Sequence, residues 1–343
     1  MSNHPFFKQP GWKTGVFSGT NYHYLSIKSH AGKATFLLLH GFPTGAFTFK
    51  GFVPELTSKG YGIILPELKG YGKTDKPTDV AALAYKTQSD EIVQILDKEG
   101  VNKVILVGHD FGGALAPRFA QYYPDRATGL VLASLPYAPP APTGLNPDLL
   151  LQKFKPILGY ENVGHIKYFA HPDSAKELNE NLETFVSLLY GDPAQWKTHL
   201  TPVNALSTHI KEEHRKHESW LSKEDKETIV QFLAENGLEG PTLWFKAATS
   251  EVNVAAEKTI TSPRLTLPFL SISPVHEATY PPPILKAQAA LAENFTIIHP
   301  DTGHWPFEQQ PKEIAVQVLK WVEEKGISSS SSVSTESKGM YGC

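Results

Sequence analysis

The 343-residue sequence predicts an α/β protein: a mostly parallel central sheet with helices on both faces and an inserted helical unit. Three observations carry this prediction. Short apolar runs alternate with amphipathic stretches over the first 135 residues. A proline-rich segment then ends the alternation. The strand-like signature returns only near residue 268.

Residues 35–39 (TFLLL), 62–65 (GIIL), 103–107 (KVILV) and 129–133 (GLVLA) are dominated by apolar side chains. Strands of a parallel sheet read this way because helices cover both of their faces. Between the runs, residues 90–99 form a helical pattern. Ile92, Ile95 and Leu96 share a face, and Gly100 stands where a C-terminal cap is needed. Residues 113–123 form a second helix, and Pro117, just past its first turn, predicts a short start or a kink there. Strands alternating with helices imply parallel pairing through right-handed crossovers. Pro136, Pro139, Pro140, Pro142 and Pro147 break the pattern. Helical stretches, 174–189 and 223–236 among them, fill the chain to about residue 261. Strands resume at 268–272 (PFLSI) and 294–298 (NFTII), and a closing helix covers 312–324. The simplest organisation is one core, 1–136 and 263–326, interrupted by a helical unit at 137–262. A Ser-rich tail at 327–343, poor in apolar residues, is expected to be disordered.

Composition narrows the class. Hydrophobic residues make up 41% and charged residues 20%, which suits a globular protein. The formal charge of -3 suggests neither nucleic acid nor an anionic membrane as a partner. The single cysteine, Cys343, excludes a disulfide framework, a Cys-based zinc site and a CxxC redox motif. No spacing suggests a metal site, and no cofactor is implied. The first residues do not read as a signal peptide, no stretch approaches ~18 apolar residues, and the last four do not form a prenylation motif. A cytoplasmic protein, monomer or homodimer, is the expectation.

One constellation carries chemistry. Gly108-His109-Asp110-Phe111-Gly112-Gly113 follows the run KVILV and opens a helix. Its form is Gly-x-nucleophile-x-Gly, a sharp strand-to-helix turn that holds the middle side chain out over the C-terminal edge of the sheet. The N–H of Phe111 then lies at a helix N-terminus, suited to an oxyanion. His40-Gly41-Phe42-Pro43 follows the run TFLLL, and the N–H of Phe42 supplies a second donor.

With these motifs in order, followed by Gly70–Pro77 (GYGKTDKP) and Gly303-His304-Trp305, the chain resembles the α/β-hydrolase superfamily over roughly residues 12–325, and most of all its epoxide hydrolase branch. The resemblance implies an α/β-hydrolase fold whose helical cap is inserted after the sixth strand. It makes His304 the base. The acid that orients the base falls at Glu277, where the family usually has an Asp. The catalytic set is then Asp110, Glu277 and His304, with Phe42 and Phe111 as the oxyanion hole.

An aspartate nucleophile is already ionised at neutral pH and suits displacement at an sp3 carbon. Epoxides and alkyl halides are the matching electrophiles, so a small apolar substrate is expected. Dehalogenases of the superfamily commonly have a halide-binding tryptophan where this chain has Phe111. Epoxide hydrolases use two cap tyrosines, whose matching positions here are His165 and Phe245. The candidates to replace them are His165 as an acid, another tyrosine (Tyr160, Tyr168 or Tyr190), or a chemistry that needs neither phenol, such as a cyclase or lyase reaction. A non-catalytic receptor on the same scaffold is a further alternative. Phe245, Trp244, Tyr168 and Trp305 are expected to line the substrate pocket.

Overall fold

A computed structural model describes residues 4–211 and 220–327. An eight-stranded sheet runs through the centre in the order β1-β2-β4-β3-β5-β6-β7-β8. The strands are β1 (Trp12–Phe17), β2 (Thr20–Ile27), β3 (Thr35–Leu39), β4 (Gly62–Pro66), β5 (Val104–His109), β6 (Ala127–Ala133), β7 (Phe269–Ile272) and β8 (Phe295–Ile298). Every pairing from β4 to β8 is parallel, whereas β1 and β2 add on antiparallel. The apolar runs explain the centre: β3 and β4 are buried along their whole lengths, and so is β5.

Helices cover both faces. Among them α1 (Tyr85–Glu99) ends on Gly100 at φ 70, the left-handed cap its sequence predicts. The next, α2 (Phe111–Tyr122), begins two residues earlier than its pattern suggested and runs on through Pro117. The stretch 174–189 is two helices, Ser174–Glu180 and Leu182–Leu189, separated at Asn181. Two packed layers result, one on each face of the sheet, with Phe36, Leu38 and Ile63 on one side and Leu37, Leu39 and Ile64 on the other.

Between β6 and β7 the described residues hold helices and loops, from Pro147–Leu158 to Val254–Glu257. This insertion lies over the C-terminal ends of β3, β5 and β6. Its two connections to the core are pinned together by one buried group. Arg118 Nε, on α2, donates to Glu257 at 2.7 Å, and its Nη1 donates to the carbonyl of Ala138 at 3.0 Å. The other oxygen of Glu257 accepts the Ala141 N–H at 2.7 Å. No helix among the described residues is long and apolar enough to cross a membrane. The expectation of a disordered tail falls, from residue 328 onward, outside the described residues.

Candidate active site

Asp110 stands between β5 and α2 with φ 51 and ψ -122, a backbone conformation that L-residues rarely adopt. The surrounding glycines make the turn possible. A Cβ on Gly112 would sit 1.9 Å from the Leu39 carbonyl, so only glycine lets α2 press against the end of β3. A Cβ on Gly41 would sit 2.3 Å from Asp110 Oδ1. That space is filled by the carboxylate itself, which accepts the Phe42 N–H at 2.8 Å. The N–H of Phe111 heads α2 beside it.

His304 follows β8 and brings Nε2 to 3.7 Å from Asp110 Oδ2, longer than a hydrogen bond. Its Nδ1 meets Glu277 Oε2 at 2.7 Å. Glu277 is buried, and its other oxygen accepts both the N–H and the hydroxyl of Thr279, at 2.8 and 2.6 Å. The fold therefore brings Asp110, His304 and Glu277 into one line. Burial would raise the Asp110 carboxyl, but the His304 imidazolium and the Phe42 N–H hold it below its usual value. Burial likewise raises Glu277, and His304 and Thr279 reverse that. Burial alone would lower His304; the carboxylates of Glu277 and Asp110 outweigh it and carry the imidazolium up to about 10.

The backbone of the base is clasped from the core. His109 Nε2 lies 2.7 Å from the His304 carbonyl, and the Ser134 hydroxyl donates to the same oxygen at 2.9 Å. A carbonyl only accepts, so His109 carries its proton on Nε2. Burial, followed by the His304 charge, lowers it to about 4 and keeps it neutral.

A pocket of about 790 Å³, counted with its open mouth, rises over Asp110. Phe42, Phe111, Phe169 and Phe245 form an aromatic cluster in its wall, with ring centroids 4.7 to 5.1 Å apart along Phe169–Phe42–Phe245–Phe111. Asp110, His165, Phe245 and Trp305 face it as expected from their positions in the sequence. Two expected lining residues do not. Trp244 is buried with its N–H given to the Lys69 carbonyl at 2.9 Å, and Tyr168 turns away to Glu177 at 2.5 Å. Helix geometry explains Trp244: it neighbours Phe245 on Glu239–Thr249, and adjacent helical residues point to different faces. The tyrosines weighed as cap phenols are also engaged elsewhere, Tyr160 with the Ala278 carbonyl at 2.8 Å and Tyr190 with Thr44 at 3.2 Å.

Two phenols that sequence reasoning passed over line the pocket instead: Tyr85, at the start of α1, and Tyr280, three residues past Glu277. Both belong to the core. The signal for Tyr280 lay in its distance along the chain from the acid, not in any motif. Trp196 covers the His304 ring at 5.2 Å, and Trp305 donates its N–H to the Leu189 carbonyl at 3.2 Å. Among the described residues, no three His, Cys, Asp or Glu side chains gather as metal ligands.

Known proteins place the fold. The model of a family described as "Alpha/beta hydrolase family" matches residues 36–317. The chain is 24% identical over 310 residues to a bifunctional epoxide hydrolase 2 of Sus scrofa, covering 89% of this chain and 54% of that protein. The corresponding Mus musculus protein is 26% identical over 298 residues, covering 83% and 51%. The chain thus spans about half the length of these curated relatives. An epoxide hydrolase of Neurospora crassa is 25% identical over 323 residues, covering 88% of this chain and 92% of the other. Among solved structures, an epoxide hydrolase from an endophytic Streptomyces has a TM-score of 0.77 at 22% identity, covering 92% and 96%; that likeness is one of fold.

Proposed function

Since the chain belongs to the alpha/beta hydrolase family, we propose that it hydrolyses an epoxide through an ester on Asp110, with no cofactor and on a small, apolar substrate. The observation that carries this reading is the Asp110 carboxylate, ionised, set by the Phe42 N–H and facing a pocket of aromatic rings. Its relatives include proteins named epoxide hydrolases, which supports the choice of electrophile.

Asp110 attacks one epoxide carbon, the C–O bond breaks, and its electron pair goes to oxygen. In the resting site the imidazolium of His304 lies between two carboxylates. Esterification removes the charge of one of them. With Asp110 neutral, His304 loses part of what holds its proton and drops toward its usual range near ~6.5. That proton is the one the opened oxygen needs. Neutral His304, oriented by Glu277, then takes a proton from water, and the hydroxide adds to the ester carbonyl. The N–H groups of Phe42 and Phe111 hold the oxyanion. Collapse releases a diol, restores the Asp110 carboxylate and leaves His304 protonated as before. One epoxide and one water give one diol.

A halide leaving group has less support here. Phe111 offers no side-chain N–H, and the N–H groups of Trp244 and Trp305 are given to backbone carbonyls. Single-turnover reaction in heavy-oxygen water tests the reading. Label should enter the Asp110 carboxylate and a diol should form. Unlabelled Asp110 with an isomer of the substrate as product would instead establish a rearrangement without water.

A further inference from the structure

Ring opening needs a donor at the departing oxygen, and Phe245, where the resemblance led us to expect a phenol, has none. Two features bring donors to one wall of the pocket. The segment that carries His165 is stitched to the loop that carries Tyr280. Tyr160 donates its hydroxyl to the Ala278 carbonyl at 2.8 Å, and Asn162 Nδ2 donates to the Thr279 carbonyl at 2.6 Å. Thr279 is in turn held through both of its donors by Glu277. The loop that orients the base therefore also fixes the neighbouring Tyr280. Among the described residues the Tyr280 hydroxyl meets no hydrogen-bond partner, and Tyr280 and His165 both line the pocket with Asp110. We infer that Tyr280, from the core, and His165, from the cap, form the paired donor site that holds and protonates the departing oxygen, an assignment that rests on the epoxide reading.

Both phenols in the pocket are held above their ordinary value, Tyr280 by burial and then by the Asp110 and Glu277 charges and Tyr85 to about 12 by burial, so position and not acidity decides between them. The charges that act on Tyr280 are those of the reacting pair Asp110 and Glu277, whereas Arg118 and Glu257 lead those that act on Tyr85. A phenol remains a stronger acid than the alcohol formed from the opened oxygen, so the proton moves from Tyr280 to that oxygen and His304 returns one to the tyrosinate. His165 is neutral, lowered to about 4 by burial and then by the His304 charge, so it contributes an N–H and no positive charge.

The test uses the full chain with styrene oxide and a long-chain aliphatic epoxide, under single-turnover conditions, with the Asp110 ester followed by mass. Tyr280→Phe should slow ester formation by ~10²-fold or more, while ester hydrolysis and binding of the diol change by less than about threefold. His165→Phe should slow the same step, and the double variant should form less ester than either. Tyr85→Phe should stay within about tenfold of wild type. The inference is overturned if Tyr280→Phe forms ester at the wild-type rate, or if ester formation and diol binding fall together, which is what a packing defect does. Heavy-oxygen labelling of the unsubstituted enzyme separates the two levels. Label in Asp110 upholds the epoxide reading whatever the variants do, and its absence with both epoxides removes that reading and the inference with it.

Discussion

Replacing Glu277 by Gln separates the two half-reactions. In the wild type both donors of Thr279 point at Oε1, and Oε2 receives the Nδ1–H of His304 at 2.7 Å. A Gln must direct its oxygen to the Thr279 N–H, which can only donate; the Thr279 hydroxyl follows the same oxygen. Its NH2 then faces His304 Nδ1 and turns that atom into an acceptor, which moves the neutral ring's proton to Nε2. A ring protonated at Nε2 cannot take a proton from water. An amide at this place in a triad costs ~10⁴ in rate, about 5 kcal/mol at ~1.36 kcal/mol per tenfold. That loss falls on ester hydrolysis. Attack by Asp110 needs no base and should slow by no more than about tenfold. Rapid-quench mass analysis should therefore show the Asp110 peptide carrying one substrate equivalent, accumulating to near stoichiometry. Turnover within about tenfold of wild type, with no accumulated ester, would refute the tautomer argument, as would equal loss in both half-reactions.

Three further outcomes follow from the same geometry. Gly41→Ala places a methyl where Asp110 Oδ1 now lies, at 2.3 Å; displacing the nucleophile by ~1 Å should lower kcat/KM by ~10²-fold with little change in the melting temperature. Arg118→Ala leaves Glu257 buried without its partner and should lower stability to urea by ~3 kcal/mol. The folded-state value of His304, about 10, lies above its ordinary 6.5, so the folded state keeps a proton that the unfolded chain loses between those values. The stability it contributes is complete below about pH 6.5 and is lost as pH rises through about 10. Urea unfolding from pH 6.5 to 9.5 should show that decline, and His304→Gln should flatten it.

The strands from β3 to β7 could be read from the chain because they are buried over most or all of their lengths and their apolar runs are nearly continuous, and β8, a half-buried edge strand, by its run FTII. The β1–β2 hairpin could not be read so easily. It pairs antiparallel, Lys13 and Thr14 face solvent, and its apolar residues are interleaved with His23 and Ser26. Its clearest signal was the Ser18-Gly19 turn, with φ 46 and 85. Within the site, Asp110 stands in a local motif whose form follows from a sharp turn, and His304 is placed by the resemblance and by its position after the last strand. Tyr85 and Tyr280 stand in no motif. They share the pocket with Asp110 because a helix start and a loop converge over the sheet edge, and the course of the Tyr280 loop depends on packing partners far along the chain, such as Tyr160 and Asn162.

The Arg118 clasp has a consequence for how such a chain can change. The segments that leave and re-enter the core are joined at Ala138, Ala141 and Glu257. Closing the insertion into a loop is thus settled at its root, inside the α/β unit. Lengthening a closed loop is cheap in entropy, since doubling it adds only ~0.6 kcal/mol. The helices between residues 211 and 257 can therefore be exchanged, extended or trimmed most freely as a module, since the contacts that steady the Glu277 loop and Trp305 come from Tyr160, Asn162 and Leu189, earlier in the insertion. Selectivity for substrate can be rebuilt in the module without disturbing the attacking group.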